Sequence, residues 1–172
     1  MKTGIESIDT ILGNRGFPLS GKIVVTGNSL IYQTAILKHI SKAMSKELPG
    51  IVISTRFATW TTQDVAQADL AIMETEDWAS SVRLFAKARN ADSFKLLVID
   101  NVEEKGPIVT ANTINKISER DGLFMVNLHG EGKGRFDIRL ESDLTIKIEE
   151  KTMNNATNLS ISIFGPYMTK KV

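Results

Sequence analysis

Residues 22–48 read KIVVTGNSLIYQTAILKHISKAMSKEL, and the hydrophobic period of this stretch changes part-way along it. Lys22 to Thr26 is a short β-branched run closed by Gly27, which predicts a buried strand. From Thr34 to Leu48, the apolar residues Ile36, Leu37, Ile40, Ala43, Met44 and Leu48 share one helix face, and Pro49-Gly50 stops the helix. A second strand follows from Ile51 to Ser54. Strand, helix, strand is the unit from which parallel sheets are built.

Working outward, Leu70 to Met73 predicts a short strand, and Trp78, Val82 and Phe85 share the face of a helix reaching about Arg89. Phe94 to Ile99 (FKLLVI) is the clearest buried strand and ends at Asp100-Asn101. A shorter helix around Thr110–Ser118 precedes a strand from Leu123 to Asn127. In the tail the period becomes two: Leu144, Ile146 and Ile148, then Leu159, Ile161 and Ile163, alternate with polar residues. That pattern predicts two strands with one solvated face, joined by a polar loop through Asn154 and Asn155. At the other end, Thr3 with Glu6 matches a capping box, and Ile5, Ile8, Ile11 and Leu12 recur at helical spacing before Gly13, Gly16 and Pro18. The fold class expected is α/β: one domain over residues 1–172, a mostly parallel central sheet flanked by helices, and a strand-rich C-terminal part. Ligands of such sheets bind beyond the C-terminal strand ends, which directs attention to the loops after Thr26, Ser54, Ile99 and Asn127.

Composition narrows the chemistry. The chain has 172 residues, 42% hydrophobic and 24% charged, as expected of a globular domain. Lys and Arg number 21 against 20 Asp and Glu, so no global polycation is present to grip nucleic acid by charge alone. The absence of cysteine excludes disulfides, thiol nucleophiles and Cys-ligated zinc, and two histidines argue against a multi-histidine metal site. No apolar run approaches the ~20 residues that span a bilayer. The opening MKTGIESID is too polar for a signal peptide, so a cytoplasmic protein is expected.

Two stretches partly match a phosphate loop, G-x-x-x-x-G-K-[ST]. Gly16 to Lys22 is followed by Ile23 rather than a hydroxyl residue and leads into a strand, so no helix N-terminus faces a phosphate. Gly27 to Thr34 stands between a strand and a helix, but Tyr32 replaces the second glycine and Gln33 the lysine. The glycine lets backbone wrap a phosphate and the lysine supplies the cation, so only Thr34 of the expected donors remains. Leu96-Leu97-Val98-Ile99-Asp100 fits a Walker B strand, whose aspartate orients a magnesium-bound water.

Together these pieces resemble the RecA/RadA/KaiC superfamily. The opening Thr3-Gly4-Ile5-Glu6-Ser7-Ile8-Asp9-Thr10-Ile11-Leu12-Gly13, then Gly16-Phe17-Pro18 and Ser20-Gly21, is similar to the family's approach to its phosphate-loop strand. Leu97 to Asn101, Met125 to Asn127 and Phe164-Gly165-Pro166 continue the likeness. The resemblance implies a RecA-like core with a degenerate Walker A motif: Gln33 in place of lysine, and Ser54-Thr55-Arg56-Phe57 where a catalytic glutamate is usual. Ile161-Ser162-Ile163 also stands where RadA-type proteins carry Lys-Asn-Arg. A lost lysine–phosphate contact is a lost charge-assisted interaction, and a lost general base removes a further ~10²–10⁴ in rate. No ATP hydrolysis, no catalytic residue, no resident metal and no cofactor are therefore expected. ATP with magnesium at Gly27, Gln33, Thr34 and Asp100 stands as the alternative.

His129-Gly130-Glu131-Gly132-Lys133-Gly134-Arg135 occupies the place where RecA-like proteins contact single-stranded DNA. Lys133, Arg135 and Arg139 offer phosphate contacts and Phe136 one stacking ring, while Glu131 and Asp137 dilute the charge. His39, Trp60 and Trp78 read as surface or packing residues, and Glu74, Glu76 and Asp77 as acids at a helix start. The resemblance thus implies an accessory factor in DNA recombination, repair or replication that binds single-stranded DNA, a RecA-type recombinase, or both. If it binds DNA, such a factor would be nucleoid-associated, and the resemblance implies self- or hetero-association, head to tail as RecA-like cores often assemble. An ATPase using Lys22, Lys38 or a partner's lysine, and a KaiC-like regulatory module that contacts only proteins, are the rivals.

Overall fold

The computed structural model describes residues 1–54, 59–66, 68–77, 80–81, 93–102, 122–129, 142–153 and 156–165. Along the chain run α1 (Glu6–Leu12), a 3-10 turn (Gly13–Arg15), β1 (Gly21–Gly27), α2 (Leu30–Met44), β2 (Gly50–Ser54), α3 (Thr62–Val65), β3 (Leu70–Glu74), β4 (Leu96–Val102), β5 (Leu123–His129), β6 (Leu144–Met153) and β7 (Ala156–Phe164). The strands form one seven-stranded sheet in the order β3-β2-β4-β5-β1-β6-β7. Every neighbouring pair is parallel except β6–β7, which is antiparallel. The mostly parallel α/β sheet expected from the sequence is present. The proposed helices over 78–89 and 110–118, with Trp78, lie outside the described residues or nearly so.

Continuous apolar runs form the central strands because both of their faces are buried. Ile23, Val25, Val52, Val98 and Met125 pack with Ile8 and Leu12 of α1 and Leu37, Ile40 and Met44 of α2. The alternate residues Val24, Ile51, Ile53, Leu97, Ile99, Phe124 and Val126 form a second cluster on the opposite face. β7 is largely exposed, with Ile163 its one fully buried residue, consistent with the period-two reading of the tail.

Register aligns the strand ends. Ser54 lies opposite Asp100, Ile99 opposite Val126, and Val25 opposite Asn127, so the predicted loops emerge along one edge. β1 lies between β5 and β6, and α2, which leaves β1 at this edge, packs back across β1, β5 and β4 on the way to β2.

Three local expectations are corrected. α2 begins at Leu30 rather than Thr34 and ends at Met44 rather than Leu48. With no glycine between Leu30 and Thr34, the chain turns helical at once, and the Gln33 N–H already donates to the Ser29 carbonyl at 3.0 Å. Only Asn28 and Ser29 connect β1 to α2, and Asn28 is clamped to β6. Its Nδ2 donates to the Glu150 carbonyl at 3.0 Å, and its Oδ1 accepts from the Glu150 N–H at 2.7 Å. β4 also runs past Asp100 to Val102 and β5 past Asn127 to His129.

The third correction concerns the first helix. Ile5, not Thr3, precedes α1, and no side chain caps it. The Asp9 carboxylate instead reaches back to accept from Thr3 N–H at 2.7 Å, Thr3 Oγ1–H at 2.8 Å and Gly4 N–H at 3.0 Å. One residue within the helix thereby fixes the chain that enters it. Burial pushes the Asp9 carboxyl up, but the bonds from Thr3 and Gly4 outweigh it and hold it below its ordinary 3.8. A carboxyl lowered by folding stabilises the fold above that ordinary value and ceases to as pH falls through the folded value. Asp9→Ala is expected to cost about 1–2 kcal/mol at neutral pH in urea unfolding. The gap from the parent chain should close as the pH is taken below 3.8.

Candidate functional site

At the C-terminal edge of the sheet, five side chains from four segments meet in a buried polar cluster. Asp100, at the strand position predicted for Walker B, is fully buried, as are Gln33 and Asn127. Trp60 and Thr34 are 3% and 8% exposed. Asp100 Oδ1 accepts from Asn127 Nδ2 at 2.8 Å and from Thr34 Oγ1 at 3.3 Å. Asp100 Oδ2 accepts from the Trp60 indole N–H at 2.8 Å. Gln33 Nε2 donates to Asn127 Oδ1 and to the Leu128 carbonyl, both at 3.1 Å.

Each placement follows from local structure. Starting α2 at Leu30 puts Gln33 and Thr34 at the end of its first turn, on the face turned to the sheet. Asn127 lies one strand away from Asp100, near enough for its amide to bridge to both Asp100 and Gln33. Trp60 precedes α3, whose capping box is made by Thr61 and Asp64. Lys38 ties that segment to α2: its Nζ lies 2.9 Å from Asp64 Oδ2 and 5.5 Å from the Trp60 ring centroid. The Trp60 indole therefore has a cation against its face and a carboxylate on its N–H. Burial pushes the Asp64 carboxyl up, but the Lys38 and Thr61 bonds outweigh this and lower it.

The structure brings Thr34 and Asp100 into contact, as their shared candidacy requires, and adds Gln33 through Asn127. Gly27 closes β1 at the same edge, where a Cβ would overlap the Ile148 carbonyl oxygen. Lys22 stands near the opposite end of β1, ~16 Å of strand from Gly27, so it does not serve this edge. Lys38 is engaged by Asp64. Asp77 accepts from the N–H and hydroxyl of Ser80, in keeping with an acid at a helix start. Lys133, Arg135, Phe136 and Arg139, and residues 55–58 after β2, lie outside the described residues.

Sequence reasoning missed Trp60 and Asn127. Asn127 carried a signal, being a polar residue directly after the apolar run Leu123–Val126 and flanked by Leu128. Trp60 carried none, because it sits in a Thr-rich stretch of no clear period. One loose end remains inside the cluster: Gln33 Oε1 is buried without a hydrogen-bond partner.

No family model matches the chain, and no curated protein matches it in sequence. Its fold, however, matches solved structures. The KaiC-like protein PH0186 from Pyrococcus horikoshii OT3 superposes with a TM-score of 0.70 over 100% of this chain and 90% of its own, at 18% identity. The flagellar accessory protein FlaH from Methanocaldococcus jannaschii gives 0.66 over 92% of this chain and 84% of its own, at 9% identity. The fold is RecA-like. At these identities the likeness carries architecture, and the chemistry of the edge must be read from the residues themselves. Among the described residues, no helix is long and apolar enough to cross a membrane.

Removing one donor from the buried carboxylate tests the cluster. Trp60→Phe keeps an aromatic ring in place but deletes the N–H that Asp100 accepts, and is expected to cost about 1–3 kcal/mol in chemical denaturation.

Proposed function

We propose that this chain is a RecA-like protein with a degenerate Walker A motif, which turns over no nucleotide and acts as an accessory binding subunit. The observation that carries this reading is the start of α2 at Leu30, which turns Leu30 to Gln33 into helix where a phosphate loop would wrap its ligand. Gln33, at the motif's lysine position, is neutral, buried and bonded inward to Asn127 and Leu128.

The residues present do not fit a magnesium triphosphate in this arrangement. A magnesium-held water would have to share the Asp100 carboxylate with donors it already accepts, Asn127 and Thr34 on one oxygen and Trp60 on the other. The γ-phosphate needs a cation, and among the described residues of this edge Gln33 is neutral and Lys38 is held by Asp64. Opening the cluster would expose a carboxylate already supplied with donors, at a cost no neutral glutamine repays. We therefore assign the edge a structural role, that of closing the sheet where relatives of this fold receive a ligand.

The accessory role draws on two considerations. FlaH, which shares the architecture, is named as an accessory protein. The segment after β5 carries Lys133, Arg135 and Arg139 among glycines, which suits contacts to the backbone of single-stranded DNA. In this reading the protein serves recombination, repair or replication in the cytoplasm, bound to single-stranded DNA or to a RecA-type partner.

With ATP and magnesium, phosphate release is expected to stay at background. Turnover that Thr34→Ala or Asp100→Asn abolishes would overturn the assignment. A fluorescent single-stranded oligonucleotide titrated at rising salt tests the nucleic-acid arm. Lys133→Ala and Arg135→Ala should each weaken binding and reduce the salt slope by about one. Absence of binding at low salt would leave a protein partner as the remaining occupant.

A further inference from the structure

Away from the sheet edge just described, the entry to α1 and the outer flank of α2 enclose an open cleft of about 420 Å³, lined by Lys2, Gly4, His39, Lys42, Ala43 and Lys46 among others. The volume falls within the range of ordinary small-molecule sites, ~300–1,000 Å³. Its walls are fixed. Asp9 pins Thr3 and Gly4, and the Phe17 N–H donates to the Met1 carbonyl at 2.6 Å. Gly4 has φ of +80°, and a Cβ there would come 3.0 Å from His39 Nε2, so the glycine lets the imidazole lie directly against the backbone.

The charge of the cleft is one-sided. Three lysines and a histidine line it, and among the described residues no carboxylate is in salt-bridge contact with Lys2, Lys42 or Lys46. Asp9 lies close enough for Lys2 to act on its charge and so offsets part of that lysine, whereas Lys42 and Lys46 have no salt-bridge partner among the described residues. Glu47 follows Lys46 in sequence, yet it is exposed and does not line the cleft.

Lysines often gather at a helix C-terminus to meet its open carbonyls. Here most of those carbonyls are already served. Ser45 N–H donates to the Ser41 carbonyl and Ser45 Oγ to that of Lys42, while Glu47 and Leu48 N–H both donate to that of Met44. Capping therefore does not occupy the cationic heads of Lys42 and Lys46, and like charges converging on one cleft repel unless an anion joins them.

We propose that this cleft binds a small phosphate-bearing anion, with Lys42 of α2, Lys46 of the turn after it and Lys2 of the opposite wall contacting the phosphates. His39 forms the floor beside Gly4. A free oligophosphate or nucleotide suits a cleft of this size, whereas a nucleic-acid strand would share the phosphate chemistry but run beyond it.

The test uses the full chain and inorganic tripolyphosphate, and substitutions of cleft lysines, which lie away from Thr34 and Asp100, make it read independently of the ATPase assignment. Calorimetry in low salt should show saturable one-to-one binding that weakens as salt rises. Lys42→Gln and Lys46→Gln should each reduce affinity about five- to tenfold with the far-UV spectrum unchanged. Lys147→Gln, on β6 and paired with Glu149, should leave affinity unchanged. Absence of saturable binding, or equal weakening by Lys147→Gln, would overturn the proposal. So would a twelve-nucleotide single strand that binds more tightly than tripolyphosphate through the same two lysines, since the occupant would then be a strand.

Discussion

A carboxylate sealed from water must be met by donors, and Asp100 imposes that requirement on the middle of the sheet. It stands near the end of β4, directly after the apolar run Leu96–Ile99, with a strand on either side. Its two oxygens collect an indole N–H, an amide N–H and a hydroxyl from three other segments of the chain. To supply them, α2 must turn Gln33 and Thr34 inward, β5 must carry a polar side chain at Asn127, and the segment before α3 must bring Trp60 over Asp100.

The same geometry explains how a RecA-like sheet can hold together at the edge where this architecture usually receives ligands. A glycine-rich loop leaves backbone N–H groups open to an anion. Here the turn is Asn28 and Ser29 alone, the helix begins at Leu30, and the Gln33 amide enters the interior to bond Asn127 and Leu128. Asn28 ties this turn to β6, next to the place where Gly27 admits the Ile148 carbonyl. Amide, hydroxyl and indole groups make a network without net cation, and Lys38 is kept outside it against the face of Trp60. The unpartnered Gln33 Oε1 marks the place where this packing is incomplete.

Much of the architecture was legible in one dimension. The switch of period within residues 22–48, the apolar run ending at Asp100 and the alternation of β6 and β7 each report burial, and burial is set by neighbours that recur at fixed spacing. Helix starts were less legible. Thr3 and Glu6 have the spacing of a capping box, but Asp9, one turn further on, holds three donors at once and takes the role. Thr34 has the look of a helix start only if the phosphate-loop motif is assumed; without its glycine the helix extends back to Leu30.

By itself, the order of residues determined the alternation of strands and helices, the buried apolar run that leads into Asp100, and the absence of a lysine and a second glycine beside Thr34. These are local properties of side-chain type and spacing. Only the tertiary structure decided that Trp60 and Asn127 complete the environment of Asp100, that Lys38 faces Asp64, and that Lys2 shares a cleft with Lys42 and Lys46. Those partners are 40 and 27 positions apart for Asp100, 26 for Lys38 and about 40 for the cleft. No spacing rule links residues so distant, because their meeting depends on strand order and register rather than on the period of any one element.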